Sequence, residues 1–454
     1  MQAVPFNSAL VAKYNIHGPR YTSYPTALAL RSGFPTSAVT AALAASDTPL
    51  SLYIHLPFCH HLCYYCGCNR VITRHQDKAD IYLAALGAEM QLYAPHIKRR
   101  GLQHLHLGGG TPTFLTHAQL TQLMALLQQH LGFDPRVAGE VSIEIDPRTC
   151  DNAKLSHLRE LGFNRVSFGV QDFNQEVQVA INRVQSEAMV ADLVAHAKAE
   201  GFESINLDLV YGLPYQTTAN FTDTLDKVIA LDPDRISMFS YAHLPQRFAA
   251  QRKLPEHEML QGADKQALLL QSITRFGNAG YQFIGMDHFA KATDSLAIAQ
   301  QNGSMQRNFQ GYTTHGSGAL LGLGVSSISQ VDGVIWQHEK DLVPYYDRVY
   351  DHQLPVSKGF RLSNDDRIRA ALISQLICHF ELDIEAFAQQ WDIEFTQYFA
   401  GALAQLANYV DDGMVTIDER HIRITKLGRL WVRVICAAFD AHLNIATNHY
   451  SKVV

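Results

Sequence analysis

Four of the seven cysteines in this chain fall within ten residues, at Cys59, Cys63, Cys66 and Cys68. Three stand as C-x-x-x-C-x-x-C directly after an apolar alternation, Leu52, Ile54 and Leu56, which reads as a strand ending at Pro57. A loop at a strand end therefore presents three thiols together. Structural zinc takes four ligands and a complete 4Fe-4S cluster takes four cysteines, so three thiolates leave one iron of a cubane open to a small molecule. A zinc knuckle completed by Cys68, His60 or His61 is the competing reading of the same loop. A disulfide framework fits poorly, because Cys150, Cys378 and Cys436 are scattered and the total is odd.

Other polar groups recur where apolar runs stop. GGGTPT at 108–113 can bring backbone close to a ligand and offer its N–H and C=O groups to a zwitterion. Glu144 and Asp146, Gln171 and Asp172, and Asp208 before the YGLP at 211–214 occupy equivalent places. Strands are predicted over residues 51–56, 104–107, 141–145, 165–170, 205–210 and 235–241. Helical faces such as Ile81, Ala84, Ala85, Ala88, Leu92 and Phe221, Leu225, Val228, Ile229 lie between them. Six βα units in series imply a parallel sheet curled into a full or partial barrel, with its working residues at the carboxyl ends of the strands.

Outside that region, residues 1–45 carry no long periodic element, but include HGPRYTSYPT at 17–26. Its Arg20, Tyr21 and Tyr24 suit docking over an acidic pocket. Beyond Asp232 the pattern loosens into a helix over about 262–276 and loops GMDHFA, RNFQGYTT and GLGVSSIS. Ser363 and Asp366 form a capping pattern before a helical stretch, MVTIDERHIRIT alternates as a hairpin, and Thr425 is placed to cap a last helix. That outline is winged-helix-like, yet no basic stripe accompanies it, so a lid or support is expected and not a nucleic-acid reader. The net charge of −6, the lack of a spanning apolar run and the lack of a signal pattern predict a cytoplasmic protein without membrane or nucleic-acid partners.

The cysteine spacing resembles the signature of the radical S-adenosylmethionine (SAM) enzymes. With GGGTPTFL, SIEIDPR, FNRVSFGVQDFN, YGLP, YAHLP, IGMDHFA, NFQGYTT and HGPRYTSYPT, the chain resembles the oxygen-independent coproporphyrinogen III oxidases along nearly its whole length. The resemblance implies an α/β fold: a partial (β/α)6 radical SAM barrel over residues 46–345, an N-terminal substrate-covering segment over 1–45 and a mainly helical C-terminal domain over 360–454. It implies oxidative decarboxylation of two propionates of coproporphyrinogen III to the vinyl groups of protoporphyrinogen IX, in haem biosynthesis. Cys59, Cys63 and Cys66 would bind one 4Fe-4S cluster. Tyr53, Tyr65, Gly109, Gly110, Thr111, Glu144, Gln171, Arg183, Asp208, Ala242 and Ile328 would contact SAM, of which the family can bind two molecules. Cys68 is expected to serve turnover without being a ligand, and Arg20, Tyr21 and Tyr24 to face the tetrapyrrole. A monomer is expected, with a flavodoxin or ferredoxin system as electron donor and an unidentified electron acceptor. The related haem chaperones share the three cysteines, but typically carry an aromatic residue where Cys68 stands. Ala319 departs from the family pattern, which has an acidic residue there.

Overall fold

The computed structural model describes residues 8–14, 16, 18–314 and 319–443, so His17 of the HGPRYTSYPT block and residues 315–318 beside Ala319 lie outside it. All six apolar runs form strands: β1 Leu50–Leu56, β2 Leu102–Gly109, β3 Glu140–Ile145, β4 Arg165–Gln171, β5 Ser204–Tyr211 and β6 Arg235–Ser240. They pair in parallel in chain order. Each is followed by a helix that carries the chain back to the same end: α1 Asp77–Ile97, α2 His117–Leu131, α3 Asn152–Glu160, α4 Glu187–Ala199, α5 Thr218–Leu231 and α6 Gly262–Asn278. In α5 the buried face is Phe221, Leu225 and Val228, as the spacing predicts.

The face predicted for α1 is displaced by one residue. Ile81 is half exposed, whereas Tyr82, Leu83, Leu86, Met90 and Tyr93 are buried. The two tyrosines go inward because their hydroxyls find partners there: Tyr82 donates to the His55 carbonyl at 2.7 Å and Tyr93 lies 2.8 Å from His338 Nε2.

The loops predicted beyond Asp232 are largely short strands. GMDHFA bridges β7 Tyr281–Gly285 and β8 His288–Lys291, which pairs antiparallel with β6. RNFQGYTT folds into a small hairpin, Gln306–Asn308 against Gly311–Thr313. GLGVSSIS contributes to β9 Leu320–Leu323 and β10 Ile328–Val331, followed by β11 Val334–His338 and β12 Val356–Arg361. β9 pairs parallel with β1, and the others return antiparallel. Runs of four or five residues are too short for periodicity to register, but Asp332-Gly333, with φ of 45° and 79°, is the two-residue turn that joins β10 to β11. The result is one 13-stranded sheet in the order Arg31–Ser32, β12, β11, β10, β9, β1, β2, β3, β4, β5, β6, β8, β7. Its two ends do not pair with each other, which makes it a partial barrel.

Helix α7, Asn364–His379, begins with the expected capping box: Ser363 Oγ accepts from the Asp366 N–H at 3.1 Å and Asp366 accepts from the Ser363 N–H at 2.9 Å. The expected hairpin is Val415–Ile417 with His421–Ile424, widened to three strands by Glu381–Asp383. Thr425 Oγ1 accepts from the Gly428 N–H at 3.1 Å, capping a 3-10 turn that leads into Val432–Ala437. This C-terminal core is continuous with the N-terminal segment, whose Leu10, Val11, Tyr14, Tyr21 and Tyr24 insert into it. The described residues of that segment include α-helices at Ser8–Tyr14 and Thr36–Ala44, where the sequence gives no long periodic element. Among the described residues no helix is long and apolar enough to cross a membrane.

Candidate active site

The carboxyl ends of β2 to β5, the cysteine loop after β1 and the loop after β6 surround a cavity of about 810 Å³, roofed by N-terminal residues 18–22 and 26–28. Its lower wall follows the strand-end rule. Gly109 and Gly110 are required there by the protein itself. Gly109 has φ +116° and a Cβ on it would stand 2.7 Å from the His55 ring, while one on Gly110 would meet the Pro57 carbonyl at 2.6 Å. The Gly110 N–H donates to Leu56 O at 2.8 Å, and both glycines border the cavity.

All four clustered cysteines line this cavity. Cys59 and Cys63 are buried, Cys66 is half-buried and Cys68 is exposed. Each of the first three sulfurs accepts a hydrogen bond. Thr111 Oγ1 donates to Cys59 Sγ at 3.3 Å, Arg148 and Arg183 donate to Cys63 Sγ at 3.5 and 3.6 Å, and the Cys68 N–H donates to Cys66 Sγ at 3.4 Å. Such donors suit thiolate ligands, because hydrogen bonds to sulfur stabilise the anion and tune a cluster. Among the described residues no three His, Cys, Asp or Glu side chains converge on a single metal ion. A cubane is a larger body that meets its thiolates at separate corners. The sulfur donors and the shared cavity fit such a body, which Cys59, Cys63 and Cys66 would hold.

Behind Cys63, Asp146 receives Arg148 at 2.7 Å and Arg183 at 3.0 Å. Burial disfavours the Asp146 charge, but the two guanidiniums outweigh it and hold the carboxyl below its usual range. Asp208 differs. Burial pushes it up to about 6, opposed by hydrogen bonds from Ser167 and Asn206, both at 2.8 Å, and reinforced by Glu144. Gln171 follows a register shift in β4 and has φ 68°, a left-handed conformation uncommon for a residue with a side chain. The bulge re-aims Gln171 to line the cavity beside Tyr65, Thr111 and Ala242.

Three of the residues expected at the site stand back from the cavity lining. Tyr53 stacks on His106, with ring centroids 5.9 Å apart, and lies 3.0 Å from His55 Nδ1. Ile328 joins a small apolar cluster with Leu30, Ile335 and Leu362. Tyr24 is buried and its hydroxyl accepts from the Ala441 N–H at 3.0 Å. Arg20 and Tyr21 do roof the cavity, with Tyr21 donating to Asp440 at 3.0 Å. Ala319 is buried at the start of β9, and its carbonyl accepts from the Ser51 N–H at 3.0 Å. Sequence reasoning missed Arg70, Arg247 and Phe248, which also line the cavity. Arg70 lay in plain view two residues after Cys68, whereas nothing local distinguishes Arg247 from a surface arginine.

Residues 53–228 match the Radical SAM superfamily and residues 362–431 match the HemN C-terminal domain. Curated relatives named oxygen-independent coproporphyrinogen III oxidase include one from Salmonella typhimurium, 49% identical over 456 residues and covering 100% of this chain and 99% of its own. One from Helicobacter pylori is 38% identical over 462 residues, with 100% of both chains covered. A solved structure, coproporphyrinogen III oxidase (HemN) from Escherichia coli, described as a radical SAM enzyme, superposes with a TM-score of 0.92 at 47% identity, covering 97% of this chain and 100% of that one.

Proposed function

The chain belongs to the oxygen-independent coproporphyrinogen III oxidases of the radical SAM superfamily, and on that premise we propose how its cavity performs the reaction. The protein is an oxidoreductase that works with a 4Fe-4S cluster and SAM, and its substrate is coproporphyrinogen III. The observation that carries this reading is that three thiols, each accepting a hydrogen bond from the chain, border one cavity. With cluster and SAM bound, the site would supply a reductive one-electron cleavage of SAM and removal of a hydrogen atom from the β-carbon of a propionate, with CO2 and one electron then leaving, the electron to an external acceptor, to give the vinyl group.

The rest is the work of the chain. Cys59, Cys63 and Cys66 hold the cluster, and Arg148, Arg183 and Thr111 lower the charge density on its sulfurs. Gly109, Gly110 and Thr111 offer backbone to the amino acid end of SAM, with Tyr65, Glu144, Gln171, Arg183, Asp208 and Ala242 completing its contacts, while Tyr53 and Ile328, set back from the lining, support the wall behind them. Cys68 stays a free thiol beside the reacting atoms. Arg20 and Tyr21 belong to a roof that keeps water from the radical chemistry, and the C-terminal domain, into which Tyr24 is anchored, supports that roof. We assign residues 46–345 to the catalytic barrel, 1–45 to the roof and 360–454 to the support, and extend the reading to a cytoplasmic monomer that binds two SAM molecules. A flavodoxin or ferredoxin system would reduce the cluster. Relatives carrying the oxidase name favour this reading over the haem chaperone.

Anaerobic purification should give about four irons per chain, and incubation with SAM, reductant and coproporphyrinogen III should yield protoporphyrinogen IX. Stoichiometric zinc without iron would overturn it. Equilibrium dialysis would count the SAM molecules.

A further inference from the structure

The substrate carries four carboxylates, and only two of them are lost. The floor of the cavity is acidic, with Glu144 and Asp208 both in its lining, so a carboxylate that must stay bound needs a cation elsewhere. Among the described residues four cationic side chains line the cavity: Arg20, Arg70, Arg183 and Arg247. Two of these already have partners, Arg183 in Asp146 at 3.0 Å, which it shares with Arg148, and in Cys63 Sγ at 3.6 Å, and Arg20 in Asp287 at 2.9 Å. Arg20 also donates to the Ser240 carbonyl at 3.1 Å, so its charge is paired and its fork is partly engaged.

Arg70 and Arg247 are not compensated in this way, and neither forms an ion pair with a described residue. Arg70 Nη1 donates to the Cys68 carbonyl at 2.9 Å, and its Nε is buried without a partner. Arg247 is exposed at the rim, 5.4 Å from the Phe248 ring. A Cβ on Gly67 would stand 3.1 Å from that same ring, so the loop bearing Arg247 lies directly on the turn that precedes Arg70. Asn69 ties in a third cation by donating to the Lys340 carbonyl at 2.7 Å. Burial, then Lys358 and Arg247, depress the Lys340 ammonium, with Asp341 pulling the other way. Positive groups therefore crowd one sector of the mouth.

We propose that Arg70 and Arg247, with Lys340 behind them, form the subsite that binds the two propionates surviving the reaction. The proposal rests on the oxidase reading and deepens it. Guanidinium forks grip carboxylates with two parallel hydrogen bonds, so this sector fixes which way round the macrocycle enters and which propionates reach the floor.

The test uses the cluster-loaded enzyme under anaerobic conditions. Arg247→Ala, Arg247→Lys and Arg70→Ala are compared with wild type for KM on coproporphyrinogen III, and for quenching by the oxidised tetra-acid porphyrin and by its tetramethyl ester. Each alanine variant should weaken tetra-acid binding about tenfold or more, the scale of one charge-assisted hydrogen bond, and leave ester binding unchanged. Arg247→Lys should recover part of the loss, while iron content and melting temperature stay at wild-type values for the Arg247 variants. Equal losses for acid and ester, or an unchanged KM in Arg247→Ala, would overturn the proposal. So would slowed cluster reduction by an acidic donor protein with tetra-acid affinity intact, which would make the patch a donor-docking site. Failure of the oxidase reading would look different: wild type would bind the tetra-acid and make no protoporphyrinogen.

Discussion

Two buried polar clusters lie on opposite sides of β1, and they treat charge differently. Beside the cysteine loop, Asp146 is clasped by Arg148 and Arg183 and held ionised. Beneath β9 and α1, Glu89 and His338 are both fully buried, with Glu89 Oε1 3.2 Å from His338 Nδ1. Glu89 accepts from the Gly324 N–H at 2.8 Å and the Tyr345 hydroxyl at 2.6 Å, yet burial pushes it up to about 8. Burial likewise pushes His338 down to about 4, so at neutral pH both groups are uncharged. The rear cluster is made of dipoles that bind sheet to helix and stays neutral, as a buried group does when nothing nearby repays its desolvation. The front cluster keeps its charges, and its two arginines are the groups that donate to Cys63. Charge is retained where it faces the sulfur site.

The largest effect that could break this contrast is loss of a ligand. Cys63→Ser should abolish iron retention and SAM cleavage together, read by iron analysis and by 5′-deoxyadenosine formation. Retained iron with normal cleavage would separate the charged cluster from any metal. Next comes Arg183→Met, which leaves Asp146 and Arg148 in a broken network. Removing one partner of a buried pair costs about 3–5 kcal/mol, so a lower denaturation midpoint and a weakened cluster spectrum are expected. A change of less than about 1 kcal/mol would mean the pair is solvated in the manner of a surface bridge.

The rear cluster predicts the opposite behaviour. Glu89 has a folded pKa of about 8, above its ordinary carboxyl value. Its contribution to stability is therefore fully present at acid pH and lost as the pH rises from about 4 through about 8, because the unfolded chain releases the proton first. Glu89→Gln should flatten that slope, raising stability relative to wild type at pH 8 by on the order of 4 kcal/mol compared with the same difference at pH 4. Urea titrations at the two pH values measure it, and parallel pH profiles would place a full charge in the core.

The front cluster was partly legible in the sequence because strand ends, the glycine run and the cysteine spacing are local patterns. Cys59, Cys63, Cys66 and Asp146 all sit within motifs that could be read off. Neither the pairing of Asp146 with Arg183 nor that of Glu89 with His338 could be, since the partners are 37 and 249 positions apart along the chain (183 − 146 and 338 − 89) and meet only through the sheet. Glu89 lies outside the apolar face predicted for α1, and its burial is part of why that face is displaced. Ile81 satisfied the period, but Tyr82, Glu89 and Tyr93 had partners inside. The short strands after β6 were missed for a different reason: at four or five residues each, their existence depends on the neighbouring strand more than on their own pattern.

Asp208 lies between the two regimes and gives the smallest and sharpest test. It is only partly exposed in the cavity wall, with Ser167, Asn206 and Glu144 as neighbours and Arg183 contributing a favourable field. Its folded pKa of about 6 is raised, so the stability it contributes is present below its ordinary pKa and lost between about pH 4 and pH 6. Asp208→Asn should remove that loss, worth about 2 kcal/mol or less after allowance for solvent. Binding of SAM should respond in the contrary direction. The cofactor is cationic at its sulfonium and is held best by the ionised carboxylate, so wild-type affinity should rise severalfold from pH 5 to pH 7, while that of the asparagine variant stays level and lower. Calorimetric titration of SAM into cluster-loaded protein at both pH values reads this directly. A wild-type affinity that does not change across the interval, or an asparagine variant that follows the same rise, would assign Asp208 to the neutral behaviour of the rear cluster and remove it from the SAM contacts.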